Sequence, residues 1–222
     1  TVTQSGGSTA VSESGSTDTF TVVLTAEPDS NVVISVVSAD TGEATVSAAS
    51  LTFTTGNWDS AQTITVTGVD DDIIDGSINT TITLAVVDGS SDNNFDPLAN
   101  QTVTAATADN DSAGFTKSKS TVSVSETGTT DTFTVVLNIE PASDVVISVV
   151  SADTGEATVS ASTLTFTSGN WDSAQTITVT GVDDDIIDGS INTTITLAVV
   201  DGSSDDNFDS LSDQTITATT AD

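Results

Sequence analysis

Along Gln175–Val182, Gln-Thr-Ile-Thr-Val-Thr-Gly-Val, the apolar Ile177 and Val179 alternate with threonines, the period of a strand with one face turned to a core. The same alternation, or a short apolar run, recurs at Thr121–Glu126, Thr132–Ile139, Asp144–Ser151, Thr163–Thr167, Ile191–Val200 and Gln214–Thr220, which with the first stretch makes about seven strands. Turn-forming letters part them, among them EPAS, ADTGE, SGNWD and DGSSDDNFD. No segment carries a 3.6-residue period with capping residues. About seven short strands in about 110 residues predict an all-β protein built as an immunoglobulin-like antiparallel sandwich of two sheets.

The pattern is written twice. Asp70 returns as Asp183, an offset of 113 residues (183 − 70), and the same offset pairs Glu13 with Glu126, Phe20 with Phe133 and Trp58 with Trp171. A period this long matches a whole domain rather than a solenoid repeat. The expected organisation is therefore two tandem sandwiches, residues 1–111 and 121–222, joined by a linker over 112–120, within DNDSAGFTKSKS. The chain contains no Met and reads as part of a longer protein.

Antiparallel strands alternate in direction, so strand parity predicts which loops share an end. In the first copy the first, third, fifth and seventh strands all finish at the end opposite the N-terminus. They deliver Glu13, Asp40, the run Asp70, Asp71 and Asp72 with Asp75, and finally Asp109 and Asp111 to one pole. The loops AEPDS, TTGNWDS and DGSSDNNFD fall at the other.

Composition sharpens this picture. Thirty-three acidic residues face two basic ones, for a formal charge of −31 with no histidine and no cysteine. A phosphate backbone or an anionic membrane surface would need a basic patch, so nucleic acid and membrane contact are excluded as partners. No apolar run approaches the roughly 20 residues that span a bilayer. Without His or Cys, the ligands on offer are carboxylates and carbonyls, which suit hard cations. Calcium takes six to eight oxygens in a flexible shell, whereas magnesium demands a tight octahedron and retains water, so Ca2+ is the expected cofactor of a crowded carboxylate pole.

The segments VSVSETGTTDTFTVVL and LTFTSGNWDSAQTITVTGVDDDIIDG, with a closing strand that runs into TADND, resemble the Calx-beta domain. The resemblance covers nearly all of both copies. It implies a calcium cluster at the end distal to the N-terminus, with ligand roles on Glu13, Asp40, Asp70, Asp71, Asp72, Asp75, Asp109, Asn110 and Asp111. In the second copy it implies Glu126, Asp153, Asp183, Asp184, Asp185, Asp188 and Asp222. The chain departs from the family pattern by lacking a Gly-x-Asp-Tyr element between the third and fourth strands, and by carrying Gly76-Ser77-Ile78-Asn79 where strong calcium binders place another acid. The function implied is a calcium-stabilised extender repeat of a large extracellular cell-surface protein such as a bacterial adhesin. Its partners are further copies of the same repeat, in the parent chain or in neighbouring subunits.

Two other readings stand beside this one: the repeating subunit of an extracellular filament or sheath assembled through strand or edge contacts, and an accessory module of a secreted carbohydrate-active enzyme. Paired carboxylates can hydrolyse glycosides, but only where their environments push their pKa values apart. Acids sharing one solvated pole, in a site duplicated almost letter for letter, speak against catalysis and against a small-molecule substrate. DGSSDNNFD lacks the mid-loop Gly and terminal Glu of an EF-hand and reads as a hairpin loop with Asx turns. Trp58 and Trp171, in GNWD turns, are expected to pack on the sandwich rim.

Overall fold

The computed structural model describes all 222 residues, and its backbone is almost wholly strand and turn. By residue contacts the chain divides into two units, one of Thr1–Asp71 with Asp75–Asn110, the other of Asp72–Ile74 with Asp111–Asp222. Each is a two-sheet sandwich, as the alternation predicts.

In the first unit the strands are β1 (Val2–Gln4), β2 (Thr9–Ser12), β3 (Thr17–Val22), β4 (Val32–Ser38), β5 (Ala44–Val46), β6 (Ser50–Phe53), β7 (Gln62–Gly68), β8 (Ile78–Val86) and β9 (Gln101–Ala108). One sheet runs β1-β3-β7-β5 and the other β2-β9-β8-β4-β6. The second unit repeats this with β10 (Phe115–Lys117), β11 (Thr121–Ser125), β12 (Thr130–Leu137), β13 (Val145–Ser151), β14 (Ala157–Val159), β15 (Thr163–Phe166), β16 (Gln175–Gly181), β17 (Ile191–Val199) and β18 (Gln214–Ala221). Its sheets run β10-β12-β16-β14 and β11-β18-β17-β13-β15.

Three features differ from the sequence expectation. Each unit has nine strands rather than seven, because its four-stranded sheet gains two three-residue strands outside the expected spans, in the second unit Phe115–Lys117 and Ala157–Val159. β1 pairs with β3 and β2 with β9, so the opening path serves both sheets; β5 and β6 divide in the same way between β7 and β4. Pieces only three residues long carry too little alternation to be read. Second, part of the expected linker is structure: Phe115–Lys117 forms β10, antiparallel to β12, and Phe115 is buried in the second core. Apolar burial of that one ring outweighs the Gly and Ser around it. Third, the sandwich is not wholly antiparallel, since β2 pairs in parallel with β9 and β11 with β18. Parity had placed the first and seventh strands in the same direction, and when they become neighbours the pairing must be parallel.

The cores follow the period of two. β7 buries Ile64 and Val66 beneath Phe20 and Phe53, while the intervening threonines face outward. In the second unit Ile177, Val179, Phe133 and Phe166 repeat the arrangement. Trp58 and Trp171 are partly buried against these cores, as expected of a rim residue.

Candidate metal centre

The pole is assembled by the ends of β2, β4, β7 and β9. β7 ends on Gly68, where any Cβ would overlap the main chain of Ser12 at the end of β2; Gly181 stands in the same relation to Ser125. Only glycine permits this approach. It brings the start of the Asp70–Asp72 run beside Glu13, the residue that follows Ser12. The run closes at Gly76, whose φ of 75° lies in the left-handed region open to glycine, and Gly76 N–H donates to Asp109 Oδ2 at 2.8 Å. Gly189 has a φ of 78° and donates to Asp222 Oδ2 at 2.5 Å. Each acidic run is thus tied at both ends to the strands that carry the other acids.

Within the first pole, Glu13, Glu43 and Asp75 present carboxylate oxygens that lie within 4.8 Å of one another, and so do Glu13, Asp109 and Asp111. Glu13 belongs to both triads and is only 1 % exposed. In the second pole the triads are Glu126, Asp188 and Asp222, and Glu156, Asp184 and Asp188. Asn110 acts as a donor at this pole: its N–H bonds Glu13 Oε2 at 3.0 Å and its Nδ2 bonds Asp70 Oδ1 at 2.8 Å. It thereby orients two of the acids.

The electrostatics are those of crowded like charges. Glu43 is raised above the usual carboxylate range by burial first, then by Asp75, Asp71, Glu13 and Asp40. Asp75 is raised by loss of water and by Asp71 and Asp109. Glu156 is raised by burial and then by Asp188, Asp184, Asp153 and Asp222. Burial, with Asp222 as the main charged neighbour and Asp184 and Asp188 behind it, pushes Glu126 up to about 7. Buried carboxyls normally find a donor, yet Glu43 Oε2 and Glu156 Oε2 have no hydrogen-bond partner. Oxygens buried without donors, converging on other oxygens, match the donor set of a hard cation.

Of the residues expected at the pole, Glu13, Asp75, Asp109 and Asp111 enter the close triads, and so do Glu126, Asp184, Asp188 and Asp222. Asp71 contributes through its charge on Glu43 and Asp75. Asp40 and Asp153 accept from the N–H of Gly42 and Gly155 at 2.9 Å, closing their own turns. Asp70 holds Asn110, and Asp72 belongs to the second unit, where its carbonyl accepts from Glu140 N–H at 2.8 Å. Asp183 and Asp185 stand outside the triads. The sequence reading passed over Glu43 and Glu156. Their signal was available, since each is the closing Glu of an ADTGE loop at the end parity assigns to the pole, but that loop read only as a turn between strands.

At the opposite end, Asp92 and Asp205 are buried and serve structure. Asp92 Oδ2 accepts from the N–H of Asp29 and Ser30 at 2.5 and 3.1 Å, and its Oδ1 accepts from Asn94 N–H at 2.9 Å, the Asx turn expected of DGSSDNNFD. These donors hold Asp92 below the usual carboxylate range, the Asn94 N–H most strongly.

Fold and pole together define a two-sheet β-sandwich module, present twice, with an all-oxygen acidic end. The chain belongs to the Calx-beta domain family, whose pattern matches residues 2–111 and again 108–222. Among solved structures it is similar to "CBD12 from CALX1.2" (14% identity, 89% of this chain and 79% of that one, TM-score 0.35). It is also similar to domains 4 and 5 of the S-layer protein SbsC (18% identity, 85% of this chain and 70% of that one, TM-score 0.41). A comparison with curated proteins finds no match.

Proposed function

We propose that the chain is a calcium-stabilised structural repeat of a large extracellular cell-surface protein, an extender segment of a bacterial adhesin. The observation that carries this reading is the pair of triads sharing Glu13, together with Glu43, whose Oε2 is buried without a donor. In the first domain Glu13, Glu43, Asp75, Asp109 and Asp111 would hold the ion or ions, with Glu13 bridging. In the second, Glu126, Glu156, Asp184, Asp188 and Asp222 would do so. Calcium supplies positive charge that cancels the repulsion among these acids, and no reaction is assigned to the site. Millimolar extracellular calcium suits sites of weak to moderate affinity, whereas cytosolic calcium would fill few of them.

Titration calorimetry on the whole chain tests the assignment. Glu13→Gln removes the shared oxygen charge and should weaken calcium binding at the first pole by about tenfold or more, on the scale by which supporting residues alter metal sites. Asp59→Asn, an exposed change in the GNWD turn, should leave the isotherm as it was. An unchanged isotherm for Glu13→Gln would remove the pole from the account.

A further inference from the structure

A load carried along the chain enters each unit through its first strands and leaves through its last. In the first unit β1 is three residues long. The next strand, β2, lies parallel to the final strand, β9, with Thr9–Ser12 set against Ala105–Ala108. Parallel strands are pulled in opposite directions when one is drawn back by its start and the other forward by its end. They slide along their common axis, so every hydrogen bond between them is strained at once instead of opening one at a time. The ladder is short: β2 is the outermost strand of its sheet, and Ala10 and Ser12 turn their N–H groups away from β9, to Asp18 Oδ2 at 2.9 Å and Ser16 Oγ at 2.8 Å. β11 and β18 repeat the arrangement in the second unit, with Thr121–Ser125 against Thr217–Ala221.

The acidic pole begins where this pair ends. Glu13 follows Ser12 and Asp109 follows Ala108, and Glu13 N–H donates to Ala108 O at 3.1 Å as the last rung. Carboxylate oxygens of Glu13 and Asp109 lie within 4.8 Å of each other. In the second unit Glu126 N–H donates to Ala221 O at 3.0 Å. There Glu126 and Asp222, the residues that follow β11 and β18, bring carboxylate oxygens within the same 4.8 Å. Two like charges across the final rung push the strands apart. A divalent cation held by both replaces that repulsion with a link from one strand to the other. Glu43, just before β5, and Asp75, shortly before β8, stand on neither strand of the pair.

We propose that calcium held by Glu13 and Asp109, and by Glu126 and Asp222, fastens the two load-bearing strands of each unit to one another, so that the ion sets the force the repeat withstands. This rests on the reading of the chain as a calcium-binding extender, and it gives the acidic pole a mechanical task beyond stabilising the fold. Position decides the matter. An ion bound elsewhere in the sandwich favours the folded state, but only one that spans β2 and β9 lies in the path of the load. The same Glu and Asp at the same two strand ends give each repeat its own calcium-controlled fastening.

The test stretches the intact chain at constant force, by handles joined beyond its two ends, in chelator and in millimolar calcium. The lifetime of each unit is read from its own unfolding step. Calcium at about 100 times its dissociation constant favours the bound fold by about 100-fold, and an ion that must let go before the strands slide carries that factor into the unfolding rate. Lifetimes should lengthen by about tenfold or more in calcium. Asp109→Asn keeps an oxygen for Gly76 N–H, which Asp109 Oδ2 accepts at 2.8 Å, but removes one charged end of the link. For this variant calcium is raised until the melting temperature no longer climbs, so that a site merely weakened is refilled. One of the two steps in each trace should then lose the lengthening, and the other, from the unaltered second unit, should keep it. Both steps lengthened in Asp109→Asn, or equal lifetimes in the two buffers for the unaltered chain, would overturn the fastening. Thermal melting of the same samples keeps the claims apart: a melting temperature raised by calcium with equal lifetimes removes only the fastening, and melting indifferent to calcium removes the metal reading beneath it.

Discussion

At the residue scale, the same side chain serves opposite ends in opposite ways. Asp92 is ionised against backbone donors, whereas Glu43 is buried against other acids. Asp92→Ala should strand the N–H groups of Asp29, Ser30 and Asn94 and lower the first unit's melting temperature by several degrees, with calcium affinity unchanged. Thermal melts with a calcium titration on the same variant check both halves. Because the Asp92 pKa is depressed in the fold, its contribution is present above the ordinary carboxylate range and lost as pH falls through the lowered value. Glycine matters at Gly68 for a different reason. Gly68→Ala would drive a methyl into the Ser12 main chain and should cost about 1–3 kcal/mol or more. It should also displace Glu13 and weaken calcium binding, so loss of stability without loss of binding would separate the strand contact from the site.

At the scale of elements, alternation made the long strands legible, since Gln175–Gly181 and its repeat Gln62–Gly68 keep strict period two. Parity then placed four strand ends, and the structure places Glu13, Asp75, Asp109 and Asp111 together. What stayed hidden had physical causes. β5 and β14 are three residues long and are fixed by pairing to β7 and β16 rather than by their own pattern. β10 depends on the burial of Phe115, a tertiary contact no local window contains. Asp40 lies near enough for its charge to raise Glu43, and its Oδ1 also accepts from Gly42 N–H. Glu43 was missed because sequence cannot tell a buried acid from an exposed one in the same turn.

At the scale of the whole molecule, a charge of −31 must be reconciled with two compact cores. Without metal the poles oppose folding, and protons partly relieve them. Glu43, Asp75, Glu126 and Glu156 hold protons more tightly in the fold than in the open chain, where a glutamate titrates near 4.5. A raised folded-state pKa gives stability that is full below the unfolded value and is lost as pH rises through the folded one, about 7 for Glu126. In chelator, the melting temperature should therefore climb as pH is lowered from about 8 to about 5. In saturating calcium the climb should flatten or reverse, because protons and cation compete for the same oxygens. Parallel pH profiles in the two buffers would mean that the acids titrate without reference to metal.

The central claim, that the acidic poles are calcium sites that hold the folded domains together, is tested most directly by differential scanning calorimetry of the intact chain at neutral pH in chelator and in millimolar calcium. A ligand present at about 100 times its dissociation constant stabilises by about 2.7 kcal/mol, which for a domain of about 110 residues raises the melting temperature by about 10 °C or more. The melting temperature should rise by that order in calcium, and by less in Glu13→Gln. Coincident melting curves in the two buffers would contradict it.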